Sequence, residues 1–134
     1  GWLKTYYDNG QLESEGICRD GKKEGRVKIY YDSGKLKSDG VYRDGEPAGL
    51  FKTYYENGQL QSEGIEKDGK KEGAVKLYYE NGRLENETVY KDGKSEGLIK
   101  TYYDNGQTKS EEVAKDGKIE MIIVQFDRNG NLQL

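Results

Sequence analysis

The sequence contains no histidine, one cysteine and one proline among its 134 residues. Without histidine there can be no Ser-His-Asp triad, Cys-His dyad or HExxH zinc site, and a lone cysteine forms no internal disulfide. Hydrophobic residues make up only 32%, below the roughly 45–50% of an ordinary globular domain, so a compact two-layer core is hard to build. We therefore predict no catalytic residue, no metal site, no cofactor and no enzymatic activity.

Charge and hydropathy narrow the choice of partners further. The net charge of −3 argues against a general nucleic-acid binder, which needs basic side chains to neutralise phosphates. No apolar run approaches the roughly 20 residues that span a bilayer, and no signal peptide is visible. Gly1 opens a repeat with no cap before it, so we expect either that the chain is excised from a longer array or that its first strand is a bare edge. Its compartment and any export of the parent protein stay open.

The chain is a tandem array with a constant period of 24 residues. We predict five complete repeats, residues 1–24, 25–48, 49–72, 73–96 and 97–120, and a partial sixth repeat or end strand, residues 121–134. All 19 glycines fall on four positions of the repeat, represented by Gly1, Gly10, Gly16 and Gly21. Such regular use indicates that backbone geometry requires glycine there.

Two glycine turns divide each repeat into a pair of strands. Asn9-Gly10 recurs in five of six copies and predicts a two-residue type I′ hairpin turn, which needs φ > 0 at both central residues. Asp20-Gly21 recurs in every complete copy and predicts a looser second turn of four residues. With strands at about residues 2–8 and 11–19, the fold is an all-β, elongated, single-layer antiparallel meander of about eleven strands.

The predicted register separates two faces of the sheet. An Asn-Gly turn places Lys4 opposite Glu15, and a four-residue second turn continues this row of alternating lysines and acids through all repeats, whereas a two-residue turn would shear it. Period-two alternation then gives an uncharged face, represented by Leu3, Thr5, Tyr7, Leu12, Ser14 and Gly16, and a mixed face, represented by Trp2, Lys4, Tyr6, Glu13, Glu15 and Ile17.

The repeat G-x-x-K-x-Y-Y-[DE]-N-G-x-L-x-x-E-G-[IV]-x-x-D-G-K-x-E resembles the MORN repeat in its bacterial variant form. The resemblance covers essentially the whole chain and implies a non-enzymatic β-hairpin scaffold that binds other proteins. It also implies two alternatives: a bacterial antitoxin or immunity protein that neutralises a polymorphic toxin, and a membrane-associated scaffold. The chain has no P-loop and no HRD or DFG motif, so a phosphatidylinositol-phosphate kinase label would be a repeat-based misannotation.

A column of tyrosines on the uncharged face is the candidate partner-binding surface. Tyrosine and serine beside leucine resemble the composition of antibody paratopes, although the same tyrosines could simply pack between strands. We expect a protein partner, with self-association through the edge strands as a further alternative, and membrane lipid is the least favoured partner because the charges balance. The column consists of Tyr7, Tyr31, Tyr55, Tyr79 and Tyr103.

Overall fold

The structure, a computed structural model, describes residues 1–134 as one antiparallel sheet of twelve strands. Each strand pairs only with its neighbours in the chain, so strand order in the sheet follows sequence order. This confirms the predicted all-β open meander. No helix is present that has the length and hydropathy to cross a bilayer. The strands are β1 (Trp2–Tyr6), β2 (Leu12–Arg19), β3 (Lys22–Tyr30), β4 (Leu36–Arg43), β5 (Glu46–Tyr54), β6 (Leu60–Lys67), β7 (Lys70–Tyr78), β8 (Leu84–Lys91), β9 (Lys94–Tyr102), β10 (Thr108–Lys115), β11 (Lys118–Phe126) and β12 (Leu132–Gln133).

The Asn-Gly turn lies where predicted but has a different geometry. Gly10 N–H donates to the Tyr7 carbonyl at 2.9 Å, and Tyr7 N–H donates to the Gln11 carbonyl at 2.9 Å. Gly10 has φ +87°, whereas Asn9 is not among the residues with positive φ. The turn is therefore a three-residue loop in which Asp8 and Asn9 are the central residues and Gly10 follows in the left-handed region. The prediction of a type I′ turn here is wrong.

The type I′ turn occurs instead at Asp20-Gly21. Asp20 has φ +52° and Gly21 has φ +76°, and the flanking Arg19 and Lys22 lie directly opposite each other. Aspartate is one of the few residues other than glycine that tolerates this backbone conformation. The predicted four-residue loop is wrong, because two residues close the turn.

The predicted row of alternating charges is nevertheless confirmed, because bulges compensate for the turn lengths. Lys4 lies opposite Glu15, and Glu15 lies opposite Lys28 of the next repeat. A register shift beside Thr5 absorbs one residue within the hairpin, and a second shift, between Gly16 and Ile17, absorbs two residues between hairpins. The two-residue turn therefore does not shear the row, which continues in the same way as far as Glu111.

The uncharged face carries the small core of the sheet. Only eight of 134 residues are buried, and Val27, Val75 and Ile99 on this face are 5%, 3% and 9% exposed. These side chains lie in the same cross-strand row as Gly16 and Gly64. A methyl group on Gly16 would approach Val27 Cγ2 to 2.9 Å, so glycine there is required by close packing rather than by a turn.

Candidate functional site

The structure places the predicted tyrosine column between successive repeats. Tyr7 Oη donates to the Tyr30 carbonyl at 2.5 Å, and Tyr55 Oη donates to the Tyr78 carbonyl at 2.6 Å. Burial, and secondarily the nearby acidic side chains, raise the pKa of the Tyr7 and Tyr55 phenols, which favours the protonated donor. The same bond to the carbonyl 23 residues on recurs at Tyr31, Tyr79 and Tyr103.

These bonds give the column a structural role, since each hydroxyl ties one hairpin turn to the following repeat. They leave the half-buried rings, rather than the hydroxyls, as the surface available to a partner. The prediction that the column shares an uncharged face with Leu12 is wrong, because the register shift beside Thr5 sets Leu12 opposite Tyr6 and brings charged side chains from the position of Glu13 to the column. Lys37 Nζ lies 5.5 Å from the centre of the Tyr31 ring, and Lys109 Nζ lies 5.7 Å from that of Tyr103. Partner binding by the column stays a prediction.

The neighbouring tyrosine column reaches across the mixed face to the acidic row. Tyr30 Oη donates to Glu15 Oε1 at 2.8 Å, and Tyr78 Oη donates to Glu63 Oε1 at 2.8 Å. Burial and the adjacent Glu63 carboxylate raise the pKa of Tyr78 to about 12. Tyr6 in the first strand remains 59% exposed. Two of these phenols thus occupy carboxylates that would otherwise be free to bind a ligand.

Asparagine side chains link each hairpin turn to the next and so maintain the regular spacing of the turns. Asn9 Oδ1 accepts from Gln11 N–H at 2.9 Å, and Asn9 Nδ2 donates to the Asp32 carbonyl of the next turn at 2.9 Å. Asn57, Asn81 and Asn105 make the same bridge. Asparagine therefore recurs here for its side-chain bonds, and Ser33 interrupts the series.

An exposed row of apolar side chains crosses the mixed face. Trp2 lies opposite Ile17, and Leu50 lies opposite Ile65, while the lysine and acid row runs alongside. Sequence reasoning placed Trp2 and Ile17 on this face but overlooked the row, whose signal is an apolar residue at the same two repeat positions in most copies. We call it the apolar row; its exposed members are Trp2 (69%), Ile17 (38%), Val41 (38%), Leu50 (52%), Ile65 (52%), Val89 (40%) and Leu98 (41%).

The charged side chains are spread along the sheet and form no cluster of metal-ligating residues. No group of three or more His, Cys, Asp or Glu side chains lies close enough to hold a metal ion. Within the lysine and acid row, Lys76 Nζ and Glu87 Oε2 are 3.8 Å apart, and such exposed pairs stabilise by less than about 1 kcal/mol.

The fold and the repeated surface define a tandem β-hairpin repeat array. A family model described as the MORN repeat variant matches residues 3–17, 23–44, 48–65, 71–92 and 95–116, which together make up well over half of the chain. The chain therefore belongs to the MORN repeat variant family. No curated protein sequence matches it.

Proposed function

We propose that this array is a non-enzymatic scaffold that mediates protein–protein interaction. The observation that carries the proposal is the apolar row, in which Leu50 and Ile65 are each 52% exposed and Trp2 is 69% exposed. Isolated exposed apolar residues are common, but adjacent exposed apolar residues such as Leu50 and Ile65 form patches that mark interaction sites. Such patches recur along the row, although Arg26 lies opposite Val41 and interrupts it. The absence of histidine supports a binding role over catalysis, because the commonest general base is missing.

The repeat gives the surface a regular spacing. Equivalent side chains in successive repeats are two strands apart, about 9.6 Å at roughly 4.8 Å per strand. A partner with several apolar groups at this spacing can therefore be held at many points by one rigid sheet. The sheet also twists by roughly 20° per strand, so a partner that follows the twist fits better than a flat membrane.

The test compares the two faces directly. One variant carries Leu50→Ser, Ile65→Ser and Leu98→Ser in the apolar row, and a second carries Tyr31→Ser and Tyr55→Ser on the uncharged face. Each variant and the unmodified array is used to capture partners, circular dichroism checks the fold, and the affinity of a purified partner is then measured. Loss of affinity in the apolar-row variant alone supports the row, and loss in the tyrosine variant alone moves the site to the predicted column.

A matched control separates apolar contact from general surface change. Lys22→Ser, Lys70→Ser and Lys118→Ser alter three exposed side chains on the same sheet that lie outside the apolar row. We expect this control to retain the partner. Equal retention by all variants would contradict binding through either face.

The antitoxin role implied by the bacterial variant form is a narrower version of the same proposal. It requires that the captured partner be a toxin domain and that the array neutralise it. The observation supporting it is only the repeat family, so its test is independent. A toxin gene beside the gene for this array, and rescue of growth when the two are expressed together, would support it, whereas a non-toxic partner would contradict it.

A further inference from the structure

The uncharged face contains one hollow that its repeated sequence does not reveal. Gly16, Gly40 and Gly64 occupy the same repeat position, but their surroundings differ. A methyl group on Gly64 would lie 2.9 Å from both Phe51 Cε1 and Val75 Cγ2, whereas one on Gly40 would meet nothing closer than Tyr42 Cε2 at 3.7 Å and Phe51 Cβ at 3.9 Å. Gly40 is thus the open member of the set.

Neighbouring side chains create the opening by turning away from Gly40. Val27 Cγ2 is directed towards Gly16, and the Phe51 ring is directed towards Gly64. The space between them is an open hollow of about 180 Å³. Its apolar lining is Val27, Ile29, Tyr42 and Phe51, and its remaining lining is Ser38, Asp39, Gly40, Lys52, Thr53 and Glu66. In the fourth and fifth repeats, Thr88 and Glu112 occupy the position of Gly40, so no equivalent glycine exists there.

The floor of the hollow also carries a free hydroxyl group. Ser38 lies opposite Ile29 on one side and Thr53 on the other. Ser38 Oγ makes no hydrogen bond within the protein: the Ile29 side chain is apolar, and Thr53 Oγ1 is bonded to Ser62 Oγ on the next strand. A ligand that combines an apolar ring with a polar tip can therefore be satisfied at both ends.

We propose that this hollow is an anchor site for one tyrosine side chain of a partner protein. A cavity of roughly 150 Å³ holds one benzene molecule, so the volume of this open hollow matches a single six-membered ring, with apolar side chains for the ring and polar ones for a hydroxyl group. The Ser38 hydroxyl distinguishes tyrosine from phenylalanine. The inference rests on the proposed function, because it takes the occupant from a protein, and it adds a single fixed point that sets the partner's register on an otherwise repetitive sheet.

The direct test is titration with 4-methylphenol, the side chain of tyrosine, observed through the methyl resonances of Val27 and Ile29. We expect saturable shifts at both residues in the unmodified array. Gly40→Val should weaken binding by about tenfold or more, because its methyl groups occupy the space in which the ring is buried. Gly40 does not have positive φ, so valine is compatible with the strand and the variant should fold.

Two controls identify what holds the probe. Ile119→Ser removes an exposed apolar side chain in β11, six strands along the sheet from β5, and should leave the affinity unchanged, whereas non-specific apolar binding would fall. Toluene should bind more weakly than 4-methylphenol by about threefold, as expected for one hydrogen bond, and Ser38→Ala should remove that difference. Equal affinities for the two probes in the unmodified array would overturn the assignment to tyrosine.

Binding of a peptide that contains tyrosine distinguishes a docking site for a protein side chain from a site for a free small molecule. Acetylated and amidated Ser-Tyr-Ser should shift the same methyl resonances as 4-methylphenol and should lose affinity in Gly40→Val. Binding of the free phenol without the peptide would overturn the docking site. Absence of any shift at Val27 and Ile29 would overturn the hollow as a site, and it would leave capture through the apolar row unaffected, so the two failures are distinguishable.

Discussion

Replacing Gly64 by alanine should destabilise the sheet, whereas the same change at Gly40 should not. At Gly64 the new methyl group would lie 2.9 Å from Phe51 Cε1 on one side and 2.9 Å from Val75 Cγ2 on the other. Phe51 and Val75 belong to different strands. If one of these side chains moves aside, the clash of the new methyl group with the other remains. At Gly40 the nearest atoms are 3.7 and 3.9 Å away, which is ordinary van der Waals contact.

The magnitude follows from two opposing effects. Overpacking a filled site costs about 1–3 kcal/mol, whereas replacing glycine by alanine in a compatible conformation gains about 0.4–1 kcal/mol by restricting the unfolded chain. We expect Gly64→Ala to lower the free energy of unfolding by about 1–2 kcal/mol and Gly40→Ala to raise it by up to about 1 kcal/mol. Gly16, crowded by Val27 at 2.9 Å, should fall between them.

Urea unfolding followed by circular dichroism measures these differences, with the slope m compared between variants to confirm that the same structure is lost. Equal stability of Gly64→Ala and Gly40→Ala would refute the reasoning. It would mean that the Phe51 ring and Val75 rearrange freely, and the divergence of side chains that opens the hollow would lose its support.

Further changes test the contacts between repeats. Tyr55→Phe should lower the free energy of unfolding by about 0.5–1.5 kcal/mol, because one hydrogen bond is lost. Tyr6→Phe should leave the free energy of unfolding unchanged. If the two variants unfold at the same urea concentration, a structural role for the tyrosine column is contradicted. Ser33→Asn should raise the urea midpoint of unfolding, because asparagine can restore the missing side-chain bridge to the next turn. An unchanged midpoint would contradict a stabilising role for these bridges. The Arg26 guanidinium holds the pKa of Asp39 below its usual value, so its stabilisation is complete above the unfolded pKa near 3.9 and is lost as pH falls through the folded pKa. Melting temperatures measured from pH 6 to pH 2.5 should therefore fall less in Asp39→Asn than in the unmodified array.

The row of lysines and acids could be predicted from the sequence although both turns could not. The alternating charges of Lys4, Glu15 and Lys28 indicate that these residues lie opposite one another on neighbouring strands. This indication does not depend on the turns that connect the strands. The lengths of the turns are not fixed by that register, because bulges beside Thr5 and Gly16 add or remove residues without moving the row. Turn type and register are therefore separate questions in a bulged sheet.

The candidate surfaces were less accessible to sequence reasoning. Gly16, Gly40 and Gly64 occupy the same repeat position, so the sequence does not distinguish them. Only the directions of the Val27 and Phe51 side chains show that Gly40 is the open one. The hydroxyl bonds of the Tyr7 column depend on the distance between repeats, which the sequence does not specify. The apolar row, by contrast, could have been found, since Leu50 and Ile65 recur at regular positions among charged residues.

The most direct test of the proposed function is calorimetric titration of a captured partner into the unmodified array and into the Leu50→Ser, Ile65→Ser, Leu98→Ser variant. Removal of three half-exposed apolar contacts should weaken binding by about tenfold or more while the circular dichroism spectrum stays the same. An unchanged affinity in a folded variant would contradict the claim that the apolar row is the surface through which this scaffold binds its partner.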